Sequence, residues 1–247
     1  MTNIYEPNVA MYTGTKNLYE RMIPAMKSLI ANSNVDKVIL GIEHDKFPID
    51  LPDEANKIVE VMNLSGQKYF SEENCQNWGS YFTYMAMIRA AYWDMFPQYK
   101  RILSVDVDTF VNRDISSIWD LPIYDYYFAA VKEPKKSEEH NQLYCNVGVC
   151  LFNLEKLRDG TGQKVMDLIN SKKMFLVEQD AFNFTCKDKI YEMPPEYNAF
   201  FATKPSPYAK VVHFAAIKDW TDEELYKKWE KASWDEVFSY RKRKYGK

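Results

Sequence analysis

Residues 101–108, Arg101-Ile-Leu-Ser-Val-Asp106-Val-Asp108, are an apolar run that stops on two carboxylates two residues apart. The run predicts a β-strand over Arg101 to Val107. Side chains at i and i+2 leave a strand on the same side, so Asp106 and Asp108 are expected to converge. Two anions held together repel unless a positive charge sits between them, and the carboxyl ends of strands in an α/β sheet are where ligands bind. A divalent cation is the natural occupant of such a place. An EF-hand is disfavoured, because Phe110 and Val111 stand where that loop needs an oxygen ligand and its glycine. Neither the dinucleotide fingerprint G-x-G-x-x-G nor the phosphate loop G-x-x-x-x-G-K-[ST] occurs.

Outward from this strand, short apolar runs alternate with longer helical stretches. Strand character recurs at Val9 to Thr13, Lys37 to Ile42, Tyr126 to Val131, Gly148 to Asn153 and Val211 to Phe214. Asn17 to Ser33 carries Leu18, Met22, Met26, Leu29 and Ile30 at helical spacing, and Tyr81 to Phe96 reads as a helix stopped by Pro97. The alternation predicts an α/β sheet with helices on its faces. No repeat, low-complexity tract or Gly/Pro/Ser linker marks a boundary, so residues 1–220 read as one domain. Residues 221–247 read as a C-terminal amphipathic helix with Leu225, Trp229, Trp234 and Phe238, ending in the basic tail Arg241-Lys242-Arg243-Lys244. A docked helix with a solvated tail suits that pattern, and so does a weak membrane-surface contact.

A chain of 247 residues with 46% hydrophobic and 27% charged content can bury one substantial core. A net charge of -3 argues against a nucleic-acid partner. No run approaches the roughly 20 apolar residues that span a bilayer, and the start MTNIYEPNVAMYTG has no signal-peptide pattern. Cys75, Cys145, Cys150 and Cys186 show no C-x-x-C pairing and read as reduced, packed thiols. Together these predict a cytoplasmic protein, peripheral at the membrane if the tail engages it.

Four blocks, in order, resemble glycosyltransferase family 8. They are Arg101 to Asp120 (RILSVDVDTFVNRDISSIWD), Tyr144 to Leu157 (YCNVGVCLFNLEKL), Glu178 to Asn183 (EQDAFN) with Pro194-Pro195-Glu196-Tyr197-Asn198 soon after, and His213 to Trp220 (HFAAIKDW). The resemblance implies a GT-A nucleotide-diphospho-sugar transferase fold, with a mixed, mainly parallel central sheet flanked by helices. It implies a retaining hexosyltransferase with a UDP-sugar donor. It also implies a divalent cation, usually manganese with magnesium as the alternative, held by Asp106, Asp108 and His213. Two carboxylates and one imidazole would leave open positions for diphosphate oxygens.

The same resemblance places Lys218 and Arg89 on the diphosphate, where neutralising a leaving group's charge matters most. It puts Tyr12, Thr13, Thr15 and Tyr19 at the uridine-binding edge, with Val107 along the donor between the two carboxylates. Asn146, Glu178, Gln179 and Asp180 correspond to residues lining the sugar pocket. Gln179 matches the side chain nearest the reacting carbon. An amide is a poor nucleophile, which favours a front-face, ion-pair-like substitution, with Glu178 as the secondary candidate. The chain departs from the family pattern at Ala216, where glycine is usual, in a shorter loop before Lys218, at Asp219 in place of proline, and at Glu178 in place of aspartate.

Two rivals fit parts of the pattern. A sugar nucleotidyltransferase also wants paired aspartates, but it needs a glycine-rich basic loop after the first strand, which MYTGTKNLYE does not supply. A catalytically silent UDP-sugar or glycan-binding protein could keep the fold. The acceptor, whether a carbohydrate, lipid-linked or protein hydroxyl, is not legible, and a homodimer is left open.

Overall fold

The computed structural model describes residues 5–80, 83–200, 208–217 and 219–247. Its strands are β1 (Val9–Thr13), β2 (Lys37–Ile42), β3 (Val59–Asn63), β4 (Arg101–Val105), β5 (Thr109–Val111), β6 (Phe128–Lys132), β7 (Cys145–Asn153), β8 (Ile190–Met193) and β9 (Val211–His213). Seven of them form one sheet in the order β3-β2-β1-β4-β7-β6-β8, and β5 pairs with β9 in a separate ribbon. β3, β2, β1 and β4 are parallel neighbours, as are β6 and β8, whereas β7 runs antiparallel to both β4 and β6. The sheet is therefore mixed and mainly parallel, flanked by helices, as the sequence predicts.

Both faces of the central strands are buried, which is why they read as continuous apolar runs, while the edge strands β3 and β8 are partly exposed. The period of two sorts their side chains. Ala10, Tyr12, Leu103, Val105, Val149 and Leu151 face the helix Tyr19–Ala31 and the C-terminal helices. Val9, Met11, Ile102, Cys150 and Phe152 face the opposite layer, which includes the helices Thr161–Ser171 and Val177–Thr185. The helix expected from Tyr81 to Phe96 begins outside the described residues. Within them it is segmented into Tyr84–Met87, a 3-10 turn at Ile88–Ala91, and Tyr92–Met95. All four cysteines are buried and unbridged, and burial pushes each thiol up.

The C-terminal stretch is two helices rather than one. Glu224–Lys231 and Trp234–Tyr245 break at Ala232-Ser233, where Ser233 and Glu236 form a capping box. That S-x-x-E signal starts a helix and so interrupts the preceding one. Both helices pack against Tyr19–Ala31. Only Arg241 of the basic end is drawn inward; Lys242, Arg243, Lys244 and Lys247 stay exposed, with Lys244 pairing with Asp114 at 3.4 Å and Lys247 with Asp36 at 2.5 Å. Arg241, only 3% exposed, donates to the carbonyls of Ile30 (3.2 Å), Ser33 (3.1 Å) and Val35. Among the described residues no helix is long and apolar enough to cross a membrane. Because Arg241→Ala would strand buried carbonyls, urea denaturation is expected to show a loss of about 3 kcal/mol. The exposed neighbour Lys242→Ala should stay within about 0.5 kcal/mol of wild type.

Candidate active site

β4 ends at Val105, so Asp106 and Asp108 do not converge through strand alternation as the sequence suggested. They sit in a tight turn instead. Asp106 N–H donates to Gly148 O (2.8 Å), and Thr109 closes the turn by donating from both N (3.1 Å) and Oγ1 (2.6 Å) to Asp106 O. The chain then enters β5, whose register on β9 sets Thr109 opposite His213. Phe214 N donates to Asp108 O at 3.0 Å, locking the end of that ribbon to the turn. A ribbon of two three-residue strands thus delivers an imidazole from far along the chain to the two carboxylates.

One ligand atom from each of Asp106, Asp108 and His213 lies within 4.8 Å of the others. His213 Nε2 is 3.3 Å from Asp108 Oδ1 and 3.8 Å from Asp106 Oδ2. Burial works against a charged Asp108 carboxyl, but the imidazole outweighs it and holds the pKa below the ordinary value. Burial likewise works against protonated His213, and Asp108 and Asp106 outweigh it, so that pKa is raised. Gly148 leaves the room this packing needs: a Cβ there would lie 2.8 Å from His213 Nδ1 and 2.9 Å from Asp106 Oδ2.

Arg89 is the counter-charge on the other side of Asp106. It is 4% exposed, and its Nη2 pairs with Asp106 Oδ1 at 2.5 Å. Nη1 donates to Val147 O (2.7 Å) and Nε to Ala86 O (3.1 Å), so each of its three nitrogens already donates within the protein. Asp106 is therefore divided, with Oδ1 on Arg89 and Oδ2 toward His213. Glu178 lies 3.9 Å from Arg89 Nε, yet burial pushes its carboxyl up to about 7 despite that cation. Its Oε2 has no hydrogen-bond partner among the described residues.

Next to Glu178, Gln179 Oε1 accepts from Val147 N (3.1 Å), while Nε2 reaches Glu133 Oε2 (3.2 Å) and Tyr144 Oη (3.3 Å). Asp180 accepts from Tyr144 Oη (2.5 Å) and from Leu176 N (2.9 Å). These bonds hold Val177 at φ 35°, a left-handed conformation that a β-branched residue adopts only when its surroundings impose it. Asn146 Oδ1 accepts from Gly148 N (3.0 Å) and from Asn198 Nδ2 (2.8 Å).

A cleft of about 380 Å³ opens over this arrangement, lined by Thr13, Gly14, Thr15, Arg89, Asp106, Val107, Asp108, Glu178 and Trp220 among others. Gln179, Asp180, Asn146 and His213 are not among its lining side chains. Tyr12 and Tyr19 are corrections to the sequence-based expectation. Tyr12 is fully buried with its hydroxyl on Ala25 O (3.3 Å), and Tyr19 is 2% exposed with Oη accepting from Glu43 N (3.0 Å), so neither ring borders the cleft. Lys218 lies outside the described residues. Ala216, the family's usual glycine position, has φ 63°, the left-handed conformation that favours glycine. Sequence reasoning missed Glu133, Tyr144 and Asn198 as site members. Glu133 had a readable signal, a carboxylate just past the end of a strand.

A family model for glycosyl transferase family 8 matches residues 10–224. General stress protein A of Bacillus subtilis is 35% identical over 112 residues, which take in 40% of this chain and 39% of that protein. The aligned stretch spans about two fifths of the length of the curated relatives it matches. Among solved structures, the glycosyltransferase GlyE of Streptococcus pneumoniae superposes with a TM-score of 0.69 at 20% identity, covering 95% of this chain and 63% of that one. The galactosyltransferase LgtC, solved with donor and acceptor sugar analogs, gives a TM-score of 0.66 at 13% identity, covering 94% and 99%. With the family model spanning the sheet, the carboxylate turn and the histidine ribbon alike, the chain belongs to glycosyltransferase family 8.

Proposed function

We propose that the chain moves a hexose from a UDP-sugar to a hydroxyl of a glycan, lipid-linked or protein acceptor, with retention of configuration. A divalent cation, manganese or magnesium, would sit on the diphosphate. The observation that carries this reading is the convergence of buried His213 on Asp106 and Asp108, the two carboxylates that line the cleft. The donor set fits such an ion. Two carboxylates match its charge, an imidazole nitrogen suits a manganese-like ion better than calcium, and Arg89 occupies only the Asp106 oxygen that points away. When bound, the cation would neutralise charge that develops on the departing UDP, an effect on the order of several kcal/mol.

The remaining work falls to the chain. Arg89 fixes Asp106 and adds positive potential behind the diphosphate. Thr13 and Thr15, which line the cleft, suit the nucleoside, and Glu178, which lines it too, suits the sugar. Glu178 titrates near neutrality because it is buried, so it serves as a hydrogen-bond partner for a sugar hydroxyl better than as a standing anionic nucleophile. Gln179, pinned at both ends of its amide next to Glu178, would act as a fixed dipole behind the cleft wall. The bond from the anomeric carbon to the leaving phosphate breaks as the acceptor oxygen arrives on the same face, and a phosphate oxygen takes the acceptor's proton.

Two outcomes are expected. UDP release from a panel of UDP-sugars should require manganese or magnesium, favour one sugar, and fall at least about 100-fold in Asp108→Ala. Release that is unchanged in the variant, or no UDP binding by calorimetry, would contradict the proposal. Separately, the Glu178 carboxyl has a folded-state pKa above its ordinary 4.5, so its ionisation costs the folded state stability as pH rises from 4.5 to about 7. Glu178→Gln should therefore gain on wild type across that window, by up to about 3 kcal/mol above it, in denaturation curves at pH 5 and pH 8.

A further inference from the structure

Asn198 is fully buried just after the turn Pro195–Tyr197, and its backbone surroundings are fixed by Ala199 N donating to Val211 O (2.9 Å) and His213 N donating to Ala199 O (2.9 Å). Both ends of its side-chain amide are engaged, and their direction follows from one backbone group. Gly148 N–H can only donate, so the Asn146 atom 3.0 Å away is that residue's carbonyl oxygen. Asn198 reaches the same oxygen at 2.8 Å and must present its NH2 group there. Its own carbonyl oxygen then faces His213 Nδ1 at 2.9 Å. An oxygen acceptor requires the proton on Nδ1, which leaves Nε2 with a free lone pair in the neutral ring. Nε2 is the nitrogen facing Asp106 and Asp108.

We propose that Gly148 N–H, Asn146 and Asn198 form a one-way relay that sets the tautomer and ring direction of His213, making Asn198 the positioning residue of the cation site. This rests on His213 being a cation ligand. A ligating histidine whose other nitrogen donates to a fixed acceptor is held in tautomer and orientation, and losing such an acceptor weakens metal affinity by about 10- to 100-fold. The relay also gives Asn146 a second task at the boundary between the cation and the pinned Gln179 cluster. Asn146 and Asn198 act here through hydrogen bonds to other side chains and need no contact with the donor.

The test uses Mn2+ alone and the full chain. By titration followed with electron paramagnetic resonance, Asn198→Ala should bind Mn2+ about 10- to 100-fold more weakly than wild type, and Asn198→Asp, which still accepts from Nδ1–H, should recover about tenfold of that loss. Asn146→Ala, which leaves His213 and Asn198 in place but removes the oxygen orienting them, should weaken binding about tenfold. The second readout is nuclear magnetic resonance of the metal-free, 15N-labelled protein. With three histidines in the chain, the His213 ring signals are assigned by their loss in His213→Gln. A slowly exchanging Nδ1–H is expected in wild type and Asn198→Asp and absent in Asn198→Ala. Mn2+ binding that Asp108→Ala abolishes while Asn198→Ala and Asn146→Ala leave it unchanged, with Nδ1–H still protected, overturns the relay alone. Binding indifferent to both Asp108→Ala and His213→Gln removes the cation site beneath it.

Discussion

Two carboxylates in one tight turn create a local excess of negative charge, and the structure meets it by dividing one of them between a guanidinium and an imidazole. Asp106 gives one oxygen to a buried guanidinium and turns the other toward the Nε2 of an imidazole, the same nitrogen that Asp108 approaches. Neither partner is local in sequence. Arg89 comes from the 3-10 turn ahead of β4, and His213 arrives on the β5–β9 ribbon. Where β4 ends, which strand neighbours it and why a glycine occupies position 148 all follow from the need to bring these groups together with space left between them.

Around that centre the polar side chains are held rather than free. Gln179 and Asp180 are fixed by Tyr144, Glu133 and the backbone of Val147 and Leu176, and the strain at Val177, of order 1–3 kcal/mol, is what that network sustains. Glu178 is the exception, a buried carboxyl that lines the cleft and whose Oε2, itself buried, has no hydrogen-bond partner among the described residues. Dipoles held in place in advance cost no reorganisation when charge develops beside them.

Much of this was legible in sequence, and the limits have physical causes. The Asp106–Asp108 pair, six of the nine described strands and the helical character of the stretch before β4 were readable from bounded apolar runs, whereas β3, β5 and β8 and the order of the strands in the sheet were not. β5 and β9 are too short to carry a period, so their pairing and the way it brings His213 to Asp108 could be expected only from family resemblance. β1 is buried on both faces, and a run of Val-Ala-Met-Tyr-Thr does not say which face opens to a cleft, so Tyr12 was misplaced. Asn198 lies within a block that was read, yet its role depends on Asn146 and His213, neighbours only after folding. Arg241 read as part of a solvated tail because its partners are backbone carbonyls, which leave no mark in a residue pattern. The Ala216 departure was visible in the sequence, but its meaning, a left-handed backbone in a loop beside the histidine strand, was not.

A cation held jointly by Asp106, Asp108 and His213 is the feature on which the proposed function stands. The most direct measurement is a crystal structure of the protein grown with Mn2+ and UDP, with data collected on either side of the manganese absorption edge. One strong anomalous peak is expected within bonding distance of Asp106 Oδ2, a carboxylate oxygen of Asp108 and His213 Nε2, with Arg89 still on Asp106 Oδ1. A peak elsewhere, or UDP in the cleft with no anomalous scatterer at these three side chains, would contradict it.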